Sequence, residues 1–457
     1  MNEKLQVVFE KLLFCFETRK FADLRIIVLD LEPMDIALFM DDNLDEKEQL
    51  MFFRMLPKEL ASDVFVEIET DTQERLIKAF TDKELKAVVD DMFLDDTVDI
   101  IEEMPANVVS RMLSAAGDKR ESINKILNYP EDSAGSIMTL EYITFLPTMT
   151  IGDALKKIKS IGAKFETVYT CYIVEKHKLL GIVTAKDLLT QDDNNIISDV
   201  METNIITVNT HSDKEEVANL LNKYDFLALP VVDVENCMVG IVTIDDAMDV
   251  ILEEAEEDIQ MMSGITPTDK PFLKTSVFEI FRTRIPWLLI LMLSSTFTGI
   301  IISGFETALE KLVVLTAFIP MIMGTGGNSG SQASVTVIRG LSLGEVEIKD
   351  VLKVLWKEIR VSILCGVVIA IATFLKVYFI DGFVMGAESV TPLVSLVVAL
   401  TLCVTVIVAK IVGCVLPILA KKLGFDPAVM ASPFITTLVD AISLLVYFGI
   451  AKAFLNI

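Results

Sequence analysis

The apolar residues of this chain are concentrated after residue 281, and this division constrains the fold more than any other feature of the sequence. Five stretches there are long enough to cross a bilayer, for which about 20 residues are needed. These stretches lie at residues 285–303, 312–338, 361–380, 393–420 and 428–455. Up to about residue 270, by contrast, charges are frequent and no long apolar run occurs. The sequence therefore predicts a soluble part followed by a membrane part of five helices.

Charge divides the chain at the same place. Residues 1–270 contain 55 Asp and Glu against 26 Lys and Arg, whereas residues 271–457 contain 11 against 14. The acidity of the chain, whose net charge is −26, thus belongs to the soluble part. A surface this negative attracts cations and repels nucleic acid, so we expect no nucleic-acid partner.

Basic residues occupy alternate loops of the predicted membrane part, which sets its orientation. Arg282 and Arg284 precede the first span, and Lys421 and Lys422 lie between the fourth and the fifth. The loop after the second span is also rich in Lys and Arg. This pattern predicts a cytosolic N-terminus and an external C-terminus, so the acidic part is expected inside the cell.

One carboxylate, Asp440, falls inside a predicted span. A charge in hydrocarbon is costly, so such a residue usually faces a water-filled path or a charged partner. Thr436 and Thr437 precede it by one helical turn and share its face. The sequence leaves two interpretations open: a pore residue, or a structural ion pair with Lys410 of the fourth span.

The second predicted span is interrupted by small and polar residues. It contains Gly324, Gly326, Gly327 and Gly330, with Asn328 and Gln332 one turn apart. Glycine allows close helix approach, and irregular backbone at membrane depth needs protein or water around it. Tight packing alone explains the glycines, but it does not require the two amides.

A proline-led repeat organises residues 1–130. Pro33, Pro57 and Pro105 each open a short amphipathic segment, and a fourth copy near Thr81 has Asp82 in place of the proline. Proline at a helix start followed by helical spacing of apolar residues predicts stacked helical hairpins. We therefore expect an all-α superhelical domain.

Two similar units follow, at residues 131–196 and 197–246. Each opens on a short motif around Met138 or Met201, and each closes on G-I-V-T-x-x-D, which ends at Asp187 or Asp246. These units resemble a tandem pair of cystathionine-β-synthase (CBS) domains, an α/β fold. The resemblance implies a possible adenine-nucleotide site with Asp187, Thr243 and Asp246, but many such pairs bind no nucleotide.

Acidic residues cluster in two further places. Residues 247–280 read as an acidic connecting helix and linker, and like charges at helical spacing disfavour a helix unless a cation neutralises them. A second cluster lies in the superhelix. A solvated helix face is the default explanation of each cluster alone, but two such clusters beside a predicted cation pore favour ion sensing. The candidate regulatory metal ligands are Asp91, Asp95, Asp96, Asp99, Asp246, Asp249, Glu253, Glu256, Glu257 and Asp258.

The order of these parts resembles the MgtE family of magnesium transporters. The most specific matches are I-P-M-I-M-G-T-G-G-N-S-G-S-Q from residue 319, D-P-A-V-M-A-S-P-F-I-T-T-L-V-D ending at Asp440, and the connecting stretch E-E-D-I-Q-M-M-S-G-I. The resemblance implies a multi-domain chain whose last part, residues 281–457, is an all-α pore domain in the lipid of the bacterial cytoplasmic membrane. It also implies a homodimer with one Mg²⁺ pore on the two-fold axis, and closure when cytosolic Mg²⁺ binds the acidic domains. The residues implied at the pore are Asp440, Thr436, Thr437, Asn328, Gly327 and Gln332.

Two other function classes compete with a channel. An exchanger that couples Mg²⁺ to Na⁺ or H⁺ needs the same intramembrane carboxylate, so the sequence does not separate the two. A membrane-tethered nucleotide sensor would need no glycine-rich polar span. An enzyme is not expected, because the sequence has no Walker loop or nucleophile elbow and its two histidines, His177 and His211, lie in no motif.

Overall fold

A computed structural model describes residues 3–455 of the chain, apart from residues 269, 271, 274, 388 and 431. The chain forms two compact units, Met1–Ile251 and Leu252–Ile457. The first unit contains a helical array and two small sheets, and the second contains long apolar helices.

The first unit begins with short helices, as the proline repeat predicted. Pro33 lies in the first turn of its helix, and Pro57 and Pro105 occupy the N-cap positions of theirs. At the fourth copy, Thr81 caps the helix with a reciprocal hydrogen bond to Glu84. The helices are α1 Glu3–Glu17, α2 Phe21–Leu29, α3 Pro33–Asn43, α4 Glu46–Phe53, α5 Lys58–Glu67, α6 Thr70–Ala79, α7 Asp82–Asp91, α8 Leu94–Glu103, α9 Ala106–Ala115 and α10 Arg120–Ile126.

A continuous hydrophobic core holds these helices together, since none of them is long enough to be stable alone. It runs from Phe9 in α1 to Ile126 in α10. Aromatic rings connect successive helices within it, with Phe39 5.4 Å from Phe9 and 5.3 Å from Phe52 between ring centroids. The predicted all-α array is therefore confirmed.

Two α/β units complete the first unit, and each contains a three-stranded sheet. In both sheets a first strand pairs in parallel with the second, which pairs antiparallel with the third. This repeated topology confirms the expected pair of CBS-like units. The elements are β1 Tyr142–Phe145, α11 Ile151–Ile161, β2 Thr167–Glu175, β3 Lys178–Thr184, α12 Ala185–Thr190, α13 Ile197–Val200, β4 Val208–Asn209, α14 Lys214–Tyr224, β5 Ala228–Val232, β6 Met238–Thr243 and α15 Ile244–Met262.

The second unit is built from long helices. They are α16 Val277–Gly304, the short α17 Glu306–Lys311, α18 Ile319–Ser342, α19 Val351–Leu375, α20 Pro392–Lys422 and α21 Ser432–Leu455. Within the described residues, four helical stretches are both long and apolar enough to span a membrane: Val277–Gly304, Ile348–Val384, Pro392–Lys422 and Pro427–Leu455. The second predicted span corresponds to α18, which has 24 residues but is less apolar because of its glycines and amides.

The sequence placed the start of that second span too early. Residues 313–318 form a 3₁₀ segment, and the α-helix begins only at Ile319. Pro320 explains the boundary, because proline fits the first turn of a helix but not its interior. The polar residues of α18 therefore lie nearer its start than the sequence predicted.

Helix α18 packs tightly against α20 and α21 through its glycines. A Cβ atom on Gly413 of α20 would lie 2.3 Å from the carbonyl oxygen of Gly330. On the other side, a Cβ on Gly330 would lie 2.8 Å from Cγ2 of Ile435. The helix backbones therefore approach more closely than any larger residue permits.

We predict that Gly413→Ala destabilises the second unit by about 2 kcal/mol or more, because its methyl group would overlap backbone rather than a movable side chain. Gly449→Ala in α21 is the matched control, since nothing lies within 4 Å of a Cβ there. Thermal unfolding of both variants in detergent tests this. Equal unfolding temperatures would contradict the proposed tight contact.

Candidate functional site

Helices α18 and α21 bring two of the predicted pore residues, Gly327 and Thr436, into contact. A Cβ on Gly327 would lie 2.8 Å from Cγ2 of Thr436, so this glycine allows Thr436 to approach the α18 backbone. One turn further along α18, the hydroxyls of Ser331 and Thr436 are 3.4 Å apart. Thr437 donates a hydrogen bond to the Pro433 carbonyl at 3.0 Å, within its own helix. Thr436 therefore faces α18.

Asn328 and Gln332 form a polar stripe on α18. They lie one turn apart, and both side chains are exposed. Asp440 is half-buried, and its Oδ1 atom is buried with no hydrogen-bond partner among the described residues. In a membrane helix, exposed amides and a carboxylate are stable only where water or another protein surface covers them.

Lys410 does not pair with Asp440, which the sequence had left open as an alternative. Its ammonium lies 3.7 Å from Oε2 of Glu358, and both side chains are largely buried. Glu358 belongs to α19, which begins ten residues before the predicted third span. The sequence missed this residue because it counted Glu358 as part of a loop. The ion-pair interpretation of Asp440 with Lys410 is therefore wrong.

A second group of carboxylates, here called the acidic cluster, lies within the first unit. It consists of Asp95 and Asp96 on α8, Glu166 just before β2, and Asp246 at the start of α15. Asp95 is only 7% exposed. Burial, and then repulsion from other acids of the cluster, raises the pKa of Asp95 well above its usual value. Burial, and then repulsion from neighbouring acids, raises the pKa of Asp96 to about 6 and that of Glu166 to about 8. Burial also raises the pKa of Asp246 to about 6, against a hydrogen bond from Thr243.

More acids surround the acidic cluster, whereas cations are few. Glu141, beside it, accepts a hydrogen bond from the Leu94 amide at 3.0 Å and lies 4.0 Å from the ammonium of Lys119. Asp63, Glu67 and Asp245 repel the Asp96 carboxylate and help to raise its pKa. These acids come from the helical array and from both CBS-like units, and burial and mutual repulsion favour their protonated forms. Among the residues that the structure describes, no three of them lie close enough together to hold one metal ion.

The structure groups only some of the predicted regulatory acids. Asp91 instead lies 2.8 Å from the Lys58 ammonium, and Asp99 is exposed on α8. Asp249 is exposed but repels Glu67, whose pKa is raised mainly by burial and also by that repulsion. Glu253, Glu256 and Glu257 lie on the later half of α15, within the second unit.

Asp258, in the last turns of α15, contacts the end of α18. The Ser342 hydroxyl, at the last residue of α18, donates to Oδ2 of Asp258 at 3.0 Å. Burial raises the pKa of Asp258, and repulsion from Asp426 adds to the effect. The connecting helix and α18 therefore meet at a hydrogen bond beside two carboxylates.

Sequence reasoning missed Glu166, Glu141 and Asp426. Each is an isolated acid in its own segment, and only the tertiary fold brings it near the others. Asp245, next to the predicted Asp246, is the one member of this set with a local signal in the sequence.

The two CBS carboxylates already have structural partners. Asp187 accepts hydrogen bonds from the amide and the hydroxyl of Thr184, which caps α12. The Thr243 hydroxyl donates to Asp246 at 2.6 Å. Each carboxylate thus stands at the start of a helix that follows a β-strand, and Asp246 also belongs to the acidic cluster.

Sequence models of three protein families match parts of this chain. The sequence model of the divalent cation transporter family MgtE matches residues 319–450, and that of the MgtE intracellular N domain matches residues 31–132. The CBS domain model matches residues 134–193 and 197–253.

Characterised relatives and one solved structure agree with these matches. The magnesium transporter MgtE of Bacillus subtilis (strain 168) is 34% identical over 439 residues, which cover 96% of this chain and 95% of that protein. The magnesium transporter MgtE of Thermus thermophilus is 33% identical over 462 residues, with full coverage of both chains. The crystal structure of the soluble part of a magnesium transporter covers 55% of this chain and 99% of its own, with a TM-score of 0.52 and 29% identity.

The raised pKa of Glu166 predicts how the first unit responds to pH in the absence of divalent cations. An acid whose pKa rises from 4.5 to about 8 on folding binds more protons in the folded state. The contribution of this proton to the free energy of unfolding is fully present below pH 4.5 and is lost as the pH rises to about 8. Hydrogen exchange of α8 in EDTA, corrected for intrinsic rates, should therefore show less protection at pH 8 than at pH 5. Glu166→Gln should remove most of the change above pH 6; an unaltered profile would contradict this origin.

Proposed function

The chain belongs to the MgtE family of divalent cation transporters, and on that premise we propose that it is a Mg²⁺ channel that imports the ion across the bacterial cytoplasmic membrane. In the proposal the N-terminus is cytosolic and the C-terminus external, and cytosolic Mg²⁺ closes the channel. One observation carries it: the polar stripe of Asn328 and Gln332 is exposed on a helix that packs against the helix of Asp440.

A second copy of the chain would complete the pore. The polar stripe is unsuited to lipid, because amides in hydrocarbon lose their hydrogen bonds to water. Facing the same stripe of a partner across a two-fold axis, it would instead line a wet path. The homodimer thus gives a physical reason for amides that packing alone does not require.

The chemistry of this path suits Mg²⁺. The ion demands octahedral oxygen coordination and gives up its water reluctantly. The water shell of the ion would donate hydrogen bonds to oxygens of the path, namely the carboxylate of Asp440, the amide oxygen of Asn328 and the hydroxyl of Thr436. These oxygens would not replace the whole shell. Such a site would select by hydrated size, which disfavours the more loosely coordinated Ca²⁺.

Closure by cytosolic Mg²⁺ is proposed to act through the acidic cluster. Mg²⁺ bound there would remove the repulsion between carboxylates of the helical array and those of the CBS pair. The ion must bind the compact form more tightly than the open form for this to shift the equilibrium. The raised pKa values of Asp96 and Glu166 support that difference in affinity, because a cation bound there would take the place of protons and relieve the repulsion between the ionised carboxylates.

The connecting helix is proposed to carry the signal to the pore. Its last turn binds the end of α18 through Asp258 and Ser342. Asp426, which precedes α21, lies close enough to repel Asp258. A cation between these two carboxylates would hold α15 against both pore helices, so the later acids of α15 are included in the proposal.

We further propose that the CBS pair binds ATP as a modulator. Acidic side chains at the start of helices commonly accept hydrogen bonds from ribose hydroxyls, and helix N-termini favour phosphate. Asp187, or Asp246 with Thr243, would accept the ribose. Since Asp246 is also in the acidic cluster, nucleotide and Mg²⁺ binding would be coupled there.

The first prediction concerns Asp440. Asp440→Ala should reduce Mg²⁺ flux into proteoliposomes at least tenfold, because it removes the only carboxylate of the proposed path. Asp350→Ala, at the start of α19, is the control, since that carboxylate pairs with Lys353. Equal flux in Asp440→Ala and wild type would mean that the path lies elsewhere. Flux that requires an opposing Na⁺ or H⁺ gradient would replace the channel with an exchanger.

The second prediction concerns regulation. Asp249→Asn should leave the channel conducting at Mg²⁺ concentrations that close the wild type, because it removes one carboxylate beside the acidic cluster. Glu121→Gln, an exposed acid on α10, serves as the control. Patch-clamp recordings over a range of cytosolic Mg²⁺ measure the closing concentration. An unchanged value for Asp249→Asn would exclude this residue from the sensing site.

A further inference from the structure

We propose that Glu358 and Lys410 are positioning residues for Mg²⁺ selectivity: their buried ion pair holds α20 in register and, through α20, holds the backbone of α18 at the ion path. This inference rests on the proposed function of α18 and α21. Neither residue is assigned to the path itself, and neither is proposed to contact the ion.

The pair is unusual within the second unit. Lys410 lies in the middle of α20 and is only 7% exposed, the sole Lys or Arg in the described chain that is so deeply buried. Its ammonium is 3.7 Å from Oε2 of Glu358, and that oxygen accepts no hydrogen bond from the described residues. Among the residues that the structure describes, this is the one ion pair between α19 and α20, which also pack closely where Gly366 faces Cys403.

Such a pair is poorly explained as a device for stability. Removing two charges from water costs several kcal/mol per ion, and apolar residues of similar size often stabilise a protein equally well or better. Ionisable groups inside membrane segments are therefore usually functional. The pair can instead fix the position of α20 along α19. Two charges attract most strongly at one relative position of the helices, whereas apolar faces can pack at several.

The residues beside Lys410 are those that touch the pore helix. The carbonyl oxygen of Ala409 lies 3.3 Å from where a Cβ on Gly330 would be. One turn further, Gly413 makes the close approach to the Gly330 carbonyl described above. Both contacts are to backbone, which has no rotamer with which to absorb a shift of α20.

The same part of α20 also packs against α21, beside Asp440. Ala409 packs with Ile435 and Val439 in one buried cluster. The Val439 side chain also approaches Gly326 and Gly330, within 3.1 and 3.2 Å of their Cβ positions. Val439 directly precedes Asp440. A displacement of α20 must therefore move both helices of the proposed path.

The decisive variant is the neutral double substitution, Lys410→Met with Glu358→Gln. It removes both charges together, so no unpaired charge is left in the membrane, and it keeps side chains of similar length. The single variants Lys410→Met and Glu358→Gln accompany it. Ser362→Ala is the matched control, since Ser362 is also fully buried on α19, one turn from Glu358, and its hydroxyl bonds only within its helix.

The readout is the ratio of Mg²⁺ to Ca²⁺ flux into proteoliposomes that hold purified full-length protein. A ratio does not depend on how much protein folds, so a purely structural role would leave it unchanged. We expect the double variant to lower the ratio by roughly three- to tenfold, a usual size for effects transmitted through packed elements. Ser362→Ala should keep the wild-type ratio.

A wild-type ratio in the double variant would overturn the inference, and so would an equal fall in Ser362→Ala. If the single variants shift the ratio but the double variant restores it, the pair acts by cancelling charge and positioning is again refuted. These results are distinct from failure of the proposed function, in which wild type itself would show no Mg²⁺ flux that depends on Asp440.

Discussion

The close approach of α18 to its neighbours is the contact on which the second unit depends. Gly330 and Gly413 place backbone against backbone, and Gly327 allows Thr436 to reach the same helix. Membrane helices gain little from burying apolar surface against one another, so association must come from such close packing and from polar contacts. With its small residues turned toward α20 and α21, α18 is left to present its amides on the other face. The packing thus explains why the polar stripe is exposed, and the proposed pore rests on that exposure.

The first unit depends on the opposite kind of contact. Its helices bury ordinary apolar cores, yet Asp95, Asp96, Glu166 and Asp246 are held where they repel one another. Local rules of stability tend to be broken at functional sites. Here the unfavourable contact makes the compact arrangement sensitive to pH, because protons neutralise these acids. In the proposed regulation, bound Mg²⁺ would act on the same repulsion.

Much of the fold could be predicted because many of its elements are specified by residues that are close together in the sequence. Proline and Thr81 mark helix starts whatever surrounds them, and the repeated G-I-V-T-x-x-D closes each CBS-like unit at a strand followed by a helix. Positions that depend on tertiary packing were harder to predict. Glu166 joins the acidic cluster only because the tertiary fold brings it near Asp96 of α8. Glu358 appeared to be a loop residue because the apolar stretch that marks the third span begins after it. In the structure α19 begins before Glu358, and the ammonium of Lys410 pairs with the Glu358 carboxylate.

The proposed regulation places its carboxylates at both ends of one helix, α15. Asp246 at its start belongs to the acidic cluster, and Asp258 near its end hydrogen-bonds to the last residue of α18. The two positions are twelve residues apart, or about 18 Å along a helix. In the proposed mechanism a cation that binds near either end would act on the same helix. Several weak sites along α15 would then together produce a steeper response than a single site would give.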